Sequence, residues 1–496
     1  MIRHTSAQPF ARIAAARIVA LGSAIVVATA AVASAQGLKL TLEEAVKMAA
    51  AKSEAITIAR SAETRAAADF TRARSQRLPQ LALRGSYDRT LESEYAGVFT
   101  DGGASCSPLT VDSSQSMERR LAELERAAGC GAIGRALNFS DVPFGQENAY
   151  RFYFSFSQSI YAGGRISAQE AQAQNSRRAA EINTATSHAA LALDVTKAFF
   201  DALLSDRLVA IAELAHAQAS AAYDQARQSV AAGRQPEFEQ LRAEVTRDNQ
   251  RPLVIRRKAE RDVAYLRLRQ LLEVAPGTQL ELEADLMLDQ LPEPLAPDAL
   301  PGLTASALDT ERAHIRQAEL TLQARESALS MARGERLPTL NVNSLYGKVG
   351  YPTAGMWPQG GDFRTNWTVG ATLDVPLFTG RRVAANVRGA QADVDEAEAR
   401  VKQARELAEL EAATARENLS AAEAVWQASA ATIQQARRAY EIAELRYREG
   451  ISTQLELSDA RLALQLAEAN RALAARDLQV SRAHLTLLPL LPVGSR

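Results

Sequence analysis

Hydrophobic and polar positions follow two rhythms along this chain, and the rhythms take turns. Leu81, Leu83 and Tyr87 alternate with Ala82, Arg84, Ser86 and Asp88. That period of two is the spacing of a strand with one apolar and one polar face. Tyr150, Phe152, Phe154, Phe156 and Ile160 repeat the pattern against Arg151, Ser155, Ser157 and Ser159. Later, Leu340, Val342 and Tyr346 alternate with Asn341 and Asn343, and Trp367, Val369, Ala371, Leu373 and Val375 alternate with Asn366, Thr368, Thr372 and Asp374. The spacing predicts strands over 79–90, 148–161, 338–348 and 364–377. Strands of about ten residues with this two-faced pattern have the signature of a membrane β-barrel. A sheet covering a soluble core is the other reading. Aromatic residues crowding the strands favour lipid, because Tyr and Trp sit well at a membrane interface.

Elsewhere the pattern is helical. A helix is predicted from Thr41, an N-cap followed by Glu43 and Glu44 in the first turn, to about Arg77, where Pro79 ends it. Further helices are expected over 165–232, 237–274, 304–336, 381–449 and 453–488. Two of them approach seventy residues, or roughly 100 Å at the helical rise. Such lengths imply coiled-coil packing. Each pair of shorter helices sums to nearly the length of one long helix, so the expectation is two short helices end to end beside each long one, building a hollow cylinder.

The order of elements occurs twice. Arg77-Leu78-Pro79-Gln80-Leu81 returns as Arg336-Leu337-Pro338-Thr339-Leu340, and Tyr161-Ala162-Gly163-Gly164-Arg165 as Phe378-Thr379-Gly380-Arg381. Gly233, with Glu239 and Ala243 after it, returns as Gly450 with Glu456 and Ala460, about 217 residues on. This divides the chain into a first repeat over 36–274, a Pro-rich connector over 275–303, a second repeat over 304–488 and a tail over 489–496. Four strands cannot close a barrel, and open edges in lipid are forbidden, so the strands must be shared among several copies, three of which would give about twelve.

Composition narrows the function. The 496 residues carry 57 basic and 58 acidic side chains, which gives no argument for nucleic acid. Arg3, Arg12 and Arg17 precede an apolar run from about Ile18 to Val32, and Ala33-Ser34-Ala35 follows. Residues 1–35 therefore read as an export signal, with a permanent anchor as the rival. No other stretch is apolar enough for a transmembrane helix. Cys106 and Cys130 share one Gly/Ser-rich segment, in which a short amphipathic helix carries Met117, Leu121 and Leu124 on one face. In an exported chain the two cysteines suggest a disulfide closing a surface loop, or else two free thiols. His188, His216, His314 and His484 are dispersed, as surface or seam residues, and the six methionines do not cluster. No metal, cofactor or catalytic constellation stands out.

The repeated Leu-Pro openings, the turns Ile160 to Arg165 and Pro376 to Arg381, and the hairpin tips Gly233 to Glu244 and Tyr447 to Ala460 resemble the TolC family of outer-membrane channels. The resemblance covers nearly all of the chain after the signal. It implies a mainly helical homotrimer whose twelve-stranded β-barrel, four strands per protomer, stands in the outer-membrane lipid and is continuous with a helical barrel in the periplasm. It also implies a periplasmic adaptor and an inner-membrane pump of the RND or ABC type, exporting drugs, small molecules or proteins. Glu456 and Asp459, three apart on one helix face, match the family's acidic rings at the periplasmic mouth. Six carboxylates there would select cations, though a solvated helix face is the plainer reading. Glu239 and Tyr447 match positions that link helix pairs in the closed mouth. Gly233, Ala243, Gly450 and Ala460 match the tips that meet the adaptor, and Gly163, Gly164, Pro376 and Gly380 the strand-to-helix turns. Three departures stand out: Ser159 replaces a common proline, the second turn has one glycine instead of two, and Ser452 replaces a basic residue for which Arg448 or Arg234 are the candidate substitutes. The competing functions are a periplasmic adaptor and a coiled-coil scaffold; neither needs amphipathic strand pairs at the base of each long helix.

Overall fold

The structure, a computed structural model, describes residues 38–92, 110, 112–129, 147–275, 277–286, 294, 312–352, 355–492 and 494. The leader, Cys106, Cys130 and most of the connector lie outside them. The chain divides into two compact units, one of residues 68–174 and 324–394, the other of the remaining described residues.

The first unit is built on four strands, β2 (Gln80–Arg89), β3 (Asn148–Tyr161), β5 (Thr339–Gly350) and β6 (Phe363–Asp374), hydrogen-bonded antiparallel in the order β2-β3-β5-β6. Register keeps the two faces pure. Leu83 opposes Phe154, Phe154 opposes Tyr346, and Tyr346 opposes Trp367, all on one face. These side chains are exposed, at 48–75% for Leu81, Leu83, Phe152, Phe154, Tyr346 and Trp367. Soluble proteins rarely leave so large an apolar patch bare. Ser157 opposes Asn343 and Asn343 opposes Gly370 on the other face. Helix α3 (Met117–Gly129) lies in the long segment between β2 and β3, and Met117, Leu121 and Leu124 on it are exposed.

Glycines admit the close contacts of this unit. Gly163 and Gly334 meet back to back: a Cβ on Gly163 would fall 2.6 Å from the Gly334 carbonyl oxygen, and one on Gly334 would fall 2.5 Å from that of Gly163. The strand-to-helix turn of the first repeat is thereby pressed against the end of α6 (Ala313–Gly334).

The second unit holds most of the helices. The long ones are α4 (Arg165–Ala231) and α7 (Arg382–Arg448), 67 residues each, and the shorter ones α5 (Glu237–Leu271) and α8 (Gln454–Leu487). Its largest core gathers Leu40, Val46, Leu193, Phe199, Phe200, Leu268, Leu272, Leu478 and Leu487, with alanines between them. Small residues let the backbones come close, so the packing rests on many short contacts.

Three features depart from the pattern read above. The first predicted helix is two, α1 (Leu42–Lys52) and α2 (Glu54–Ser75), broken at Ser53, where ψ is 125° and the Glu54 amide donates instead to the Glu273 carboxylate at 3.2 Å. Thr41 does cap the start, in a reciprocal box with Glu44. Second, the connector is not wholly loop: β4 (Leu280–Leu282) pairs in parallel with β1 (Leu38–Leu40). Three residues are too few to show an alternation. Third, the segment read as a tail packs inward, with Leu490 and Leu491 at 4% and 1% exposure. α5 runs unbroken through Pro252, as the helix expected over 237–274 requires, although proline can donate no backbone hydrogen bond. The described part of α6 starts at Ala313; the start expected near 304 lies outside the described residues.

Candidate functional site

Two helix hairpins end at the tips where sequence reasoning put the mouth, α4 to α5 and α7 to α8. Both close with the same hydrogen bonds. The Gly233 amide donates to the Val230 carbonyl and that of Arg234 to Ser229; Gly450 donates to Tyr447 and Ile451 to Arg446. This is the Schellman closure, with glycine in the left-handed region at φ 71° and 73°. No atom lies within 4 Å of a Cβ built on either glycine, so the backbone angle and not space demands them. Thr453 then caps α8, accepting from the Glu456 amide at 3.4 Å.

Glu456 and Asp459 stand exposed on the first turns of α8. Arg446 reaches Glu456 at 3.5 Å, while neither Arg448 nor Arg234 forms an ion pair among the described residues. Both partners of that pair are about half exposed, which makes it weak. Tyr447 is buried at 3% exposure and packs with Ala222, Tyr440, Leu457 and Leu464. Burial first, and the nearby Glu239 carboxylate second, push the Tyr447 hydroxyl up from its ordinary pKa. Glu239 and Tyr447 thus come together, on different hairpins.

Ala243 has no exposed surface at all, so it shapes the hairpin and offers nothing directly to a partner. Ala460 is half-buried against the tip cluster.

Sequence reasoning missed Arg461. It is buried at 4% exposure, and its Nε, Nη1 and Nη2 make no well-formed hydrogen bond. Desolvation lowers its pKa; the Tyr440, Glu444 and Tyr447 side chains oppose that shift. Gln454, the first residue of α8, is likewise buried with both amide atoms unpartnered. The missed signal was spacing: Gln454, Arg461 and Glu468 are seven apart and all buried.

The turns at the other site are equally specific. Gly163, Gly164 and Gly380 have φ of 60°, 77° and 58°, and Arg381 supplies a fourth positive φ, 67°, where the first repeat has its second glycine. Near the foot of the sheet, a cleft of about 610 Å³ is lined by polar side chains including Gln80, Ser157, Asn341, Asn343 and Arg165.

No described helix is long and apolar enough to cross a membrane. The chain matches the model of the family described as outer membrane efflux protein over residues 132–273 and 305–488. No curated protein sequence matches it. Solved structures share its fold. A membrane protein from Pseudomonas aeruginosa superposes with a TM-score of 0.71 at 20% identity, over 90% of each chain. The outer-membrane channel OprN gives 0.69 at 22% identity, over 92% of this chain and 90% of its own. The MtrE outer membrane channel of Neisseria gonorrhoeae gives 0.69 at 17%, over 91% and 89%.

Proposed function

The chain belongs to the outer membrane efflux protein family, and from that premise we propose that it is the exit duct of a tripartite exporter, passing small molecules from the periplasm to the exterior. An efflux channel of the outer membrane reaching into the periplasm is not an enzyme, and no residue here is assigned a catalytic role.

One observation carries the finer reading. The four-stranded sheet has an exposed apolar face and two unpaired edges, β2 and β6. Lipid cannot satisfy the backbone groups of an open edge. The edges must pair with those of other copies, and three protomers give the twelve strands that close. A soluble adaptor or scaffold would have no use for such a face. The conducting path enters at the helical tips, where three copies of Glu456 and Asp459 ring the opening and favour cations. The tips around Gly233, Gly450 and Ala460 meet a periplasmic adaptor, which joins the duct to an inner-membrane pump.

The test is reconstitution in a planar bilayer with a trivalent cation added to either side. Unitary channels blocked from the helical side only, with block relieved roughly tenfold or more in Glu456→Ala/Asp459→Ala, are expected. Unitary conductance with unchanged block would remove the acidic ring and keep the duct. No conductance from folded protein would remove both.

A further inference from the structure

We propose that the tip of the second hairpin holds a buried halide site, in which one small anion, chloride or bromide, seats against the Arg461 guanidinium between α7 and α8. The inference goes beyond the channel reading and stands without it.

The site starts from a charge that the fold encloses and does not neutralise. Arg461 is 4% exposed, and its Nε, Nη1 and Nη2 make no well-formed hydrogen bond. The Tyr440 hydroxyl lies against it, with Tyr447 and the Glu444 carboxylate as further neighbours. A phenol brings no charge, and Glu444 forms no ion pair with Arg461 among the described residues. The other acids of the tip are engaged elsewhere. Glu456 is exposed and paired with Arg446, Asp459 is exposed, and Glu239 lies beside Tyr447. An ion taken out of water without a counter-charge is costly.

Around the guanidinium stands a set of donors. Gln454, Ser458 and Arg461 follow one another at four and three residues on α8, which puts them on one stripe of the helix. Long helical side chains lean towards the N-terminus, which carries the guanidinium back over Ser458. Gln454 is 1% exposed with both amide atoms unpartnered, and the Ser458 hydroxyl is buried and unpartnered. The Tyr447 hydroxyl, beside Gln235 of the first hairpin, makes no well-formed hydrogen bond either. Tyr440 and Tyr447, seven apart on α7, close the other side and pack with Leu457 and Leu464. Guanidinium, amide and hydroxyl groups all donate hydrogen bonds. One negative acceptor among them answers several donors and the charge together, and charge-assisted bonds are the strong ones. Water would answer the donors and leave the charge. Two packed helices and two buried tyrosines enclose the site, which favours a monatomic anion over a phosphate.

The test uses the full-length protein in detergent, with bromide as the probe. In crystals grown with sodium bromide, an anomalous difference peak is expected in contact with the Arg461 guanidinium. In solution at constant ionic strength, replacing gluconate, too bulky for the site, by bromide is expected to raise the wild-type Tm by roughly 1–2 °C for each tenfold of halide above half-saturation. Arg461→Met is expected to remove that dependence. In halide-free buffer it is expected to be the more stable protein, and halide to narrow the gap. Ser458→Ala keeps the charge and the packing, and is expected to need several-fold more bromide for the same rise. No bromide peak at Arg461 means that water or Glu444 meets the guanidinium, and it overturns the site. Equal halide dependence of the Tm in wild type and Arg461→Met overturns it as well. Neither result touches the duct.

Discussion

Arg381 holds a backbone conformation that its counterpart in the first repeat gives to glycine: φ is 67° at Arg381 and 77° at Gly164. A side chain in the left-handed region costs about 1–2 kcal/mol, part of which glycine would lose again through its freer unfolded chain. Arg381→Gly is therefore expected to stabilise the protein by roughly 0.5–1 kcal/mol, read as a higher Tm in detergent by intrinsic fluorescence. Gly163→Ala is expected to do the reverse and more strongly, since its Cβ would collide with the Gly334 backbone. The turn glycines were legible in the sequence because two copies of one motif could be laid side by side. Gly334 was not, because its reason is the backbone across from it, which no local pattern announces. The acids at Glu456 and Asp459 were singled out by the family resemblance of the tip and their spacing on one helix face, while the basic group beside Glu456, Arg446, lies on a neighbouring helix.

Among the elements, α8 shows how the helices are held in register. Its buried stripe repeats every seven residues, Gln454, Arg461, Glu468 and Ala475 in one series and Leu457, Leu464, Arg471 and Leu478 in the other. Two of the polar members are answered from α7: Arg437 reaches Glu468 at 3.6 Å, and Arg471 lies over the Trp426 ring and donates to Ser429 at 3.0 Å. Polar groups at such seam positions specify alignment at a cost in stability. Arg461 carries that cost with little return in hydrogen bonds. Arg461→Met, which keeps the apolar stem, is expected to stabilise the hairpin by on the order of 1 kcal/mol, measured by the Tm. A drop of several degrees would show that the guanidinium is well paired in the trimer. The long helices could be read from length and lack of proline. The break at Ser53 could not, since no glycine or proline marks it and the group that takes up the Glu54 amide there, Glu273, lies some 220 residues away. The short β1–β4 pair escaped for want of length.

For the molecule as a whole, the two-period and helical patterns sufficed to give a mainly helical fold with a small two-faced sheet, since each element is long and its burial demands are one-sided. What the patterns could not give is the interior of the helical unit, where alanine dominates and periodicity fades. Two histidines lie there. His188 and His314 are 4% and 8% exposed, and burial holds both below the ordinary histidine pKa. The unfolded chain takes up their protons first, near pH 6.5. Their contribution to stability is therefore full above that value and lost as pH falls towards the depressed folded values. The Tm is expected to fall between pH 7.5 and 5.5, and to fall less in His188→Gln/His314→Gln. An equal fall in both proteins would assign the acid sensitivity to other groups.

The core of the helical unit is shared by residues about 450 positions apart. Leu40 and Val46 pack in the same cluster as Leu487, Leu490 and Leu491. Synthesis delivers the first of these long before the last. The nascent chain therefore cannot complete this core as it emerges, and its early apolar segments must wait without their partners. An exported chain of this design depends on being held open, and kept from proteases and from its siblings, until nearly all of it has arrived; the step most exposed to failure is the wait, not the assembly that follows.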